Sequence, residues 1–206
     1  MRTVLLDRDG VVTINRKYNV KSPAELRLIP GAASAIARLN REGVAVAICT
    51  NQPEVDDRII GKHELDAIHR SLRMVLAHRH ARLDLILCCT DNFRSQRRKP
   101  SPGMLCEAMR RLGAKPAETP FVGDQVSDLE AAVHAHCRPV LVRTGLGRAT
   151  EQGRIPQYAK PVAIHDDLAS FVDSYCRRYR RKREGALRRD WSSPSAGRHR
   201  SAANRC

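Results

Sequence analysis

The sequence predicts an α/β fold in which a parallel sheet is covered by helices on both faces. Two observations support this prediction. Short runs rich in β-branched residues alternate with longer segments of helical spacing along residues 1–175. The short runs are apolar throughout instead of alternating between apolar and polar residues, which is typical of strands buried on both faces. The repetition of strand and helix then predicts a Rossmann-like, doubly wound sheet.

The predicted strands are the apolar runs at residues 3–6, 44–49, 83–88, 120–122 and 139–142. The predicted helices lie at residues 32–41, 64–78, 102–112, 127–135 and 166–176. Turn residues bound several of these helices, since Pro30 and Gly31 precede the first and Gly113 follows the third. The second helix has a stripe of apolar residues from Leu65 to Leu76, at the spacing of one helix face.

Length and composition restrict the class of protein. The 206 residues are 42% hydrophobic, which is sufficient for the core of one domain. No apolar run approaches the roughly 20 residues of a membrane span, and the first residues do not have the pattern of a signal peptide. The seven cysteines are odd in number and include no C-x-x-C pair, as is typical of reduced thiols. We therefore expect a cytoplasmic protein with no membrane attachment.

The net charge of +15 is concentrated at the C-terminal end. Residues 176–206 contain eleven Lys and Arg residues but two Asp and Glu residues, so this segment carries nine of the net positive charges. Its other residues are mostly Ser, Gly, Ala and Pro, and this composition is typical of a frayed helix followed by disorder. We predict a globular domain at residues 1–175 and a basic, disordered tail at residues 176–206. The tail is either a solvated extension or a weak contact for nucleic acid.

Polar residues follow the predicted strands. Asp7 and Asp9 follow the first strand, Thr50 follows the second, and Asp124 follows the fourth. Lys99 lies in the segment after the third strand. Because ligands of such sheets bind beyond the carboxyl ends of the strands, we expect these side chains to meet in one site.

The residue types at this edge suit phosphoryl transfer. Asp7 and Asp9 are close carboxylates that repel each other unless a cation or a shared proton relieves the repulsion. With Asp124 they supply the hard oxygen ligands that Mg²⁺ prefers. Thr50 and Lys99 would bind an anion beside the metal. A metal, a lysine and a carboxylate nucleophile together are the equipment for phosphoryl transfer through an aspartyl-phosphate.

Four motifs at these strand ends resemble those of the haloacid dehalogenase (HAD) superfamily of phosphohydrolases. They are DRDG at 7–10, TNQ at 50–52, RKP at 98–100 and GDQVSD at 123–128. The longer segments LLDRDGVV, LIPGA, RRKPSPGML and FVGDQVSDLEAA are similar to the branch that contains the heptose-bisphosphate and histidinol-phosphate phosphatases. The resemblance covers about residues 3–145 and implies a HAD-like fold. The short intervals between motifs leave no room for a large cap domain, so we expect an essentially capless, open site.

The resemblance implies a role for each motif residue. Asp7 would be the nucleophile, and Asp9 would protonate the leaving oxygen and then activate the water that hydrolyses the aspartyl-phosphate. Mg²⁺ would be held by Asp7, the main-chain carbonyl of Asp9, and Asp124. Thr50 and Lys99 would bind the phosphoryl oxygens and stabilise developing charge. The implied substrate-binding residues are Tyr18, Asn51, Gln52 and Arg98.

The chain departs from this branch in three places. The branch often has a structural zinc loop before RKP, but Cys89 is the one thiol ligand that remains here, so the sequence predicts no zinc site. The loop 53–57 (PEVDD) adds negative charge at the substrate mouth, and Gln125 stands where the branch often has lysine. Both changes argue against assigning the bisphosphate substrate of this branch to the present chain. Asp128 is either a supporting carboxylate or an exposed residue at a helix start.

The resemblance therefore implies a Mg²⁺-dependent phosphomonoesterase that acts on a small phosphorylated metabolite. A sugar phosphate such as a heptose bisphosphate is the first expectation, and histidinol phosphate is the alternative within the same chemistry. Two other classes stay open: a nucleic-acid-associated protein or phosphatase that uses the basic tail, and a phosphatase-like binding protein without turnover. The presence of both Asp7 and Asp9 argues against the last class. No feature of the sequence indicates an oligomeric state.

Overall fold

The computed structural model describes residues 1–15, 20–91, 95–153 and 155–191, the last ten of these by their backbone alone. The strands in these ranges are β1 (Thr3–Leu6), β2 (Ala45–Asn51), β3 (Leu85–Cys89), β4 (Pro120–Gly123), β5 (Arg138–Val142) and β6 (Ala163–His165). They form one sheet in the order β3-β2-β1-β4-β5-β6, and every neighbouring pair is parallel. The predicted parallel sheet is confirmed.

Helices cover both faces of this sheet. They are α1 (Ala32–Arg41), α2 (Lys62–Ala77), α3 (Gly103–Leu112), α4 (Val126–His134), α5 (Gly147–Gln152) and α6 (Leu168–Trp191). Val4 and Leu6 of β1 belong to the core cluster that contains the apolar residues of α1, α2 and α6. Leu5 belongs to the other cluster, with the apolar residues of α3 and α4. Because β1 is buried on both faces, its sequence is a continuous apolar run, as the doubly wound arrangement requires.

The order of the strands positions the crevice where ligands bind. The chain passes from β1 to β2 and β3 on one side, and then returns to place β4 on the other side of β1. In sheets of this kind, the loops after the two strands at such a reversal diverge and leave a crevice between them. The main-chain N–H of Asp7 donates to the carbonyl of Val122 at 2.8 Å, which joins the ends of β1 and β4. The residues that follow these strands therefore face one another.

Two observed elements were not predicted from the sequence, namely β6 and α5. β6 has three residues and lies at the edge of the sheet beside β5, and α5 has six residues. Segments this short contain too few residues for a recognisable period. The ends of the other helices and strands differ from the predicted ends by at most two residues, except at α6.

The segments that join β1 to α1 and β2 to α2 are short. In the described ranges, each contains loops and a single 3-10 turn, and neither holds a cap domain.

Helix α6 extends well beyond the predicted helix. The predicted boundary between residues 175 and 176 falls inside it, and Cys176 is buried in the core beside Leu168 and Val172. The backbone is helical as far as Trp191. The disordered tail stays a prediction for residues 192–206, which lie outside the described ranges. None of the helices in the described part of the chain has the length and apolar character of a membrane span.

Candidate active site

The carboxyl ends of the central strands form the floor of an open cleft with a volume of about 1090 Å³. Several residues selected from the sequence line this cleft: Asp7, Asp9, Thr50, Asn51, Arg98 and Lys99. The topology explains their convergence, because β1 lies between β2 and β4 and the loops after these strands are neighbours. The structure thus brings together side chains that are up to 92 positions apart in the sequence.

Lys99 is buried, and its ammonium group links two carboxylates. Nζ donates to Oδ1 of Asp7 at 2.7 Å and to Oδ1 of Asp128 at 2.6 Å. Burial by itself lowers the pKa of Lys99, but Asp128 and Asp7 more than offset this effect, so the pKa lies above its ordinary value. Lys99 therefore stays charged and partly neutralises the acidic cluster.

Asp128 is buried, so the structure supports the first of the two alternatives that the sequence left open. Its Oδ2 accepts hydrogen bonds from the main-chain N–H groups of Asp124 at 3.2 Å and Gln125 at 3.1 Å. Its Oδ1 accepts from Lys99. Asp128 thus holds both the start of α4 and the lysine, and it supports the carboxylates in front of it.

Asp124 is fully buried and held from several sides. Its Oδ2 accepts from the main-chain N–H of Leu146 at 2.8 Å, and its main-chain carbonyl accepts from Oγ1 of Thr150 at 2.7 Å. Gly10 and Gly145 have positive φ, and a Cβ on either would lie 2.1 or 2.2 Å from Oδ2 of Asp124. Glycine at these two positions lets both loops approach the carboxylate closely. The orientation of Asp124 is therefore determined by the loop after β1, the loop after β5 and the helix α5 together.

Three carboxylates in this cluster have the geometry of a cation site. Asp7, Asp124 and Asp128 each offer an oxygen atom, and these atoms lie within 4.8 Å of one another. Burial, together with repulsion by the other carboxylates, raises the pKa of Asp7 to about 6 and that of Asp124 to about 8. Within the described residues, Oδ1 of Asp124 is buried and accepts no hydrogen bond. A hard cation such as Mg²⁺ would satisfy this oxygen and relieve the repulsion, so the donor set fits Mg²⁺.

The zinc loop is not tested by these observations. Residues 92–94, which belong to the stretch before RKP, lie outside the described residues. The predicted absence of a zinc site therefore stays a prediction.

Asp9 accepts hydrogen bonds from four donor atoms. Its Oδ2 accepts from Nε and Nη2 of Arg8, at 3.1 and 2.8 Å, and from Nε2 of Gln52 at 2.9 Å. Its Oδ1 accepts from Oγ1 of Thr13 at 2.8 Å. This carboxylate is therefore held in one orientation at the edge of the cleft.

Thr50, Asn51 and Arg98 line the cleft, and their contact with a substrate stays a prediction. Oγ1 of Thr50 accepts from Nε2 of Gln52 at 3.0 Å. The Asn51 side chain donates to the carbonyl of Lys99 at 3.0 Å and accepts from its N–H at 3.1 Å, so it fixes the segment that carries the lysine. Arg98 is half-buried, and its Nη1 donates to the carbonyl of Asp91 at 3.1 Å.

The side chain of Gln52 makes its hydrogen bonds within the protein. Its side chain is fully buried and is absent from the residues that line the cleft in the described structure. Its Nε2 donates within the protein, and its Oε1 accepts from Nη2 of Arg8 at 2.5 Å. In this structure the amide of Gln52 holds Asp9, and its contact with a substrate stays a prediction. Tyr18, the other residue of that group, lies outside the described residues.

Sequence reasoning missed the residues that support the aspartates from behind. Arg8 is fully buried, and its Nη1 lies 3.2 Å from Nε2 of His69 on α2. Thr144, in the loop after β5, donates to the carbonyl of Gly10 at 2.6 Å. The sequence did contain an indication of the role of Arg8, because a cationic residue between two site carboxylates directly after a buried strand is unusual. It contained none for His69 and Thr144, since their roles depend on how distant segments pack.

Gln125 and the 53–57 loop, the two departures from the branch near the substrate mouth, differ in their position relative to the cleft. Gln125 directly precedes α4 and lines the cleft. Pro53 of the 53–57 loop also lines the cleft. Glu54 is buried, whereas Asp56 and Asp57 are exposed. Among the described residues that line the cleft, Arg98 is the one cationic side chain besides the lysine. The effect of these departures on substrate choice stays a prediction.

The chain is similar in sequence to characterised phosphatases. The family model described as HAD-hydrolase-like matches residues 96–171. D-glycero-β-D-manno-heptose-1,7-bisphosphate 7-phosphatase of Bordetella bronchiseptica is 38% identical over 176 residues, which are 84% of this chain and 97% of that protein. The phosphatase of the same name from Pseudomonas aeruginosa is 37% identical over 173 residues, which are 83% of this chain and 96% of that protein.

Solved structures give the same result for the fold. The crystal structure of D,D-heptose 1,7-bisphosphate phosphatase from B. bronchiseptica, complexed with magnesium and phosphate, has a TM-score of 0.81 and 36% identity. It covers 86% of this chain, which in turn covers 99% of that one. The corresponding protein of Burkholderia thailandensis has a TM-score of 0.67 and 32% identity, with 85% and 99% of the two chains covered. The similarity therefore extends well beyond the four motifs.

Proposed function

We infer the activity from the family, because this chain belongs to the HAD-like phosphatases, together with the D-glycero-β-D-manno-heptose-1,7-bisphosphate 7-phosphatases. It is a hydrolase of phosphoric monoesters. We propose that its substrate is a sugar phosphate such as a heptose bisphosphate, and that it requires Mg²⁺. Histidinol phosphate is the alternative substrate. The observation that carries the proposal is the buried Asp7–Lys99–Asp128 chain, with Asp124 beside it, on the floor of the cleft.

Asp7 is the proposed nucleophile. One of its oxygens is held by Lys99, and the residue lines the cleft. A carboxylate oxygen of Asp7 would attack phosphorus while the bond from phosphorus to the sugar oxygen breaks, which leaves an aspartyl-phosphate on Asp7. Because only the ionised form attacks, the neighbouring ammonium group of Lys99 supports this role: its positive charge lowers the pKa of a carboxyl that burial raises.

Asp9 is the proposed acid and base. It would give a proton to the departing sugar oxygen, so that the alcohol leaves neutral. It would then accept a proton from the water that attacks phosphorus, which breaks the bond between phosphorus and Asp7 and releases inorganic phosphate. Its place at the rim of the cleft, two residues after Asp7, supports both roles.

Mg²⁺ would be held by the carboxylates of Asp7 and Asp124 and by the main-chain carbonyl of Asp9. Asp128 is less suited as a direct ligand, because Lys99 and two N–H groups already occupy its oxygens. When bound, Mg²⁺ neutralises negative charge on the phosphoryl group and on its own carboxylate ligands. The rigid support of Asp124 by Leu146 and Thr150 prepares one ligand in advance.

The remaining cleft residues are proposed to bind the substrate. Lys99 and Thr50 would hold the oxygens of the transferred phosphoryl group. Asn51 would act mainly by fixing the main chain of Lys99, with which it exchanges two hydrogen bonds. Arg98, which directly precedes Lys99 and lines the cleft, would contact the rest of the substrate.

Phosphate release from a panel of esters tests the proposed function. The panel holds heptose 1,7-bisphosphate, histidinol phosphate, other sugar phosphates and 5′-phosphorylated oligonucleotides, each with Mg²⁺ and with excess chelator. We expect Mg²⁺-dependent turnover, with a sugar phosphate as the best substrate. A preference for histidinol phosphate would select the alternative substrate. Absence of turnover on the whole panel by a folded protein would contradict the proposal and favour the binding protein without turnover.

Nucleic-acid binding by the C-terminal helix is a second candidate function. Exposed arginines follow the buried part of α6 at positions 177, 178, 180 and 181. Arg178 lines a groove of about 490 Å³ with Arg2 and Arg138, and the guanidinium of Arg2 lies 3.6 Å from the ring centroid of Tyr179. Since Arg2 precedes β1 and Arg138 begins β5, this groove lies at the sheet edge opposite the catalytic cleft. A bound polyanion would therefore not enter the active site.

Deletion of residues 177–206, which removes the arginines at positions 177, 178, 180 and 181 and leaves the buried part of α6, tests this second candidate. We expect the full chain to bind single-stranded DNA, with affinity that falls by about tenfold or more between 50 and 200 mM salt. The truncated chain should lose this binding and keep its phosphatase activity, because the cleft lies at the opposite edge. Equal binding by the two chains would exclude the tail as a nucleic-acid contact.

A further inference from the structure

A chain of hydrogen bonds that is buried at Arg8 and half-buried at His69 lies behind Asp9. Arg8 is fully buried, and its guanidinium contacts three side chains: Asp9, Gln52 and His69. A buried guanidinium is costly unless its charge is paired and its N–H groups have acceptors. The carboxylate of Asp9 provides the opposite charge, with Nη2 of Arg8 at 2.8 Å from Oδ2. The reaction described above gives Arg8 and His69 no direct part.

The roles of donor and acceptor along this chain follow from the chemistry of arginine. A guanidinium has donors and no acceptor, so Nε2 of His69 must accept from Nη1 of Arg8, 3.2 Å away. The imidazole proton then lies on Nδ1. Burial and the positive charge of Arg8 lower the pKa of His69 to about 4, which agrees with a neutral ring.

The two oxygens of Asp9 are used unequally. Oδ2 receives three N–H groups, two from Arg8 and one from Gln52. Within the described part of the chain, Oδ1 lies within hydrogen-bonding distance of one donor, Oγ1 of Thr13, which also lies 3.1 Å from the carbonyl oxygen of Arg8. The Thr13 hydroxyl has one proton and can donate it to either acceptor. Oδ1 is therefore the oxygen that retains hydrogen-bonding capacity for a substrate or a water.

We propose that Arg8 and His69 are positioning residues, which hold Oδ2 of Asp9 and so present Oδ1 to the leaving oxygen of the substrate. The chain of contacts runs from α2 through Arg8 to Asp9, and Gln52 ties it to the end of β2. The carboxylate is thereby anchored to two separate elements of the fold. This inference rests on the proposed function of Asp9 as the acid that protonates the leaving group.

Loss of the His69 acceptor would loosen Arg8 and let the Asp9 carboxylate turn. The rate of the first chemical step would then fall, and the fall would be larger for a leaving group that needs a proton. An alcohol leaving group needs that proton, whereas 4-nitrophenolate departs as an anion and needs little help. Because kcat/KM reports only the steps up to formation of the aspartyl-phosphate, the later use of Asp9 as a base does not obscure the comparison.

The experiment compares His69→Leu, His69→Gln and the control His63→Leu, which changes an exposed histidine on the same helix. Each protein is assayed with heptose 1,7-bisphosphate and with 4-nitrophenyl phosphate. For His69→Leu we expect kcat/KM to fall about tenfold or more on the sugar phosphate but less than about threefold on the aryl phosphate. His69→Gln keeps a neutral acceptor and should recover most of the loss, and His63→Leu should match the parent.

Equal losses on the two substrates, or equal losses in the Leu and Gln variants, would overturn the positioning role. A measurement independent of activity addresses the contact itself. Long-range ¹H–¹⁵N spectra of the parent at pH 7 should show His69 neutral with its proton on Nδ1, and a protonated ring or the Nε2–H tautomer would overturn the chain. If the parent hydrolysed neither ester, the proposed function would fail and the positioning role with it, while the spectra would still decide the Arg8–His69 contact.

Discussion

Replacement of Asp7 by asparagine is expected to lower phosphate release by at least about 1000-fold while the fold is retained. Asparagine has the same shape, and its amide oxygen can still accept from Nζ of Lys99, which lies 2.7 Å from Oδ1 in the parent. A neutral amide oxygen is a poor nucleophile and does not yield an aspartyl-phosphate. The measurement is Mg²⁺-dependent phosphate release from heptose 1,7-bisphosphate, with circular dichroism to compare the folds.

Asp66→Asn is the matched control for this variant. Asp66 is an exposed carboxylate on α2, outside the cleft, and its replacement should leave activity within about twofold of the parent. Mass spectrometry of the Asp7→Asn protein is needed to exclude deamidation back to aspartate. Turnover within tenfold of the parent, in protein shown to contain asparagine, would remove Asp7 from the role of nucleophile.

Replacement of Asp124 by asparagine is expected to lower activity by about 100-fold or more and to abolish stabilisation by Mg²⁺. Asp124 is a proposed metal ligand, and its buried Oδ1 accepts no hydrogen bond within the described residues. The amide can still accept from the N–H of Leu146, so the loop after β5 should keep its place. The variant therefore removes a charge and a ligand with little other change.

The same variant should make the metal-free protein more stable at alkaline pH. Burial and the neighbouring carboxylates raise the pKa of Asp124 to about 8, far above that of an aspartate in an unfolded chain. Between pH 4 and 8 the folded state therefore holds a proton that the unfolded state has lost, so the stability of the parent falls as pH rises through this range. Asparagine has no such proton. At pH 8.5 we expect the variant to gain at least about 1 kcal/mol, or about 2–4 °C in Tm.

Thermal denaturation at pH 5.5 and pH 8.5, with chelator and with Mg²⁺, measures both effects. For the parent, Mg²⁺ should raise Tm more at pH 8.5, because protons compete with the metal for Asp7 and Asp124 at the lower pH. For Asp124→Asn the metal should have little effect at either pH. Asp66→Asn again serves as control and should behave as the parent. Equal stabilisation of the parent and the Asp124 variant by Mg²⁺ would contradict the assignment of Asp124 as a ligand.

The central part of the fold could be predicted because its signals are local. Strands such as β1 and β2 are buried on both faces and therefore appear as continuous apolar runs. Helix α1 begins after Gly31 and has a clear amphipathic pattern. β6 and α5 escaped prediction because they are too short to show a period, and their residues gain order from packing against β5. A frayed helix was expected at the start of the basic segment, but the extent of α6 past residue 176 could not be predicted, because a basic composition without apolar spacing does not mark a helix end.

The candidate site could be predicted in part for a similar reason. Asp7, Thr50 and Asp124 each follow a strand directly, and in a parallel sheet all such residues lie at one edge. Lys99 does not follow β3 directly, but the segment that contains it begins at the same edge, and this was the reason for its selection. Gln52 was assigned to the substrate because it belongs to the same motif as Thr50. Successive side chains along an extended chain can, however, face in opposite directions.

The sequence by itself determined that this chain forms a parallel sheet and that carboxylates and a lysine meet at its carboxyl edge. It did so because strand burial and the position of a residue after a strand are properties of short segments. Only the tertiary structure decided which of these groups face the cleft and which are enclosed. Asp128 lines the cleft, Gln52 is enclosed, and Arg8 reaches His69, because α2, α4 and the loop after β2 pack around the end of β1. Burial and partner choice depend on contacts between segments far apart in the sequence, and those contacts exist only once the chain has folded.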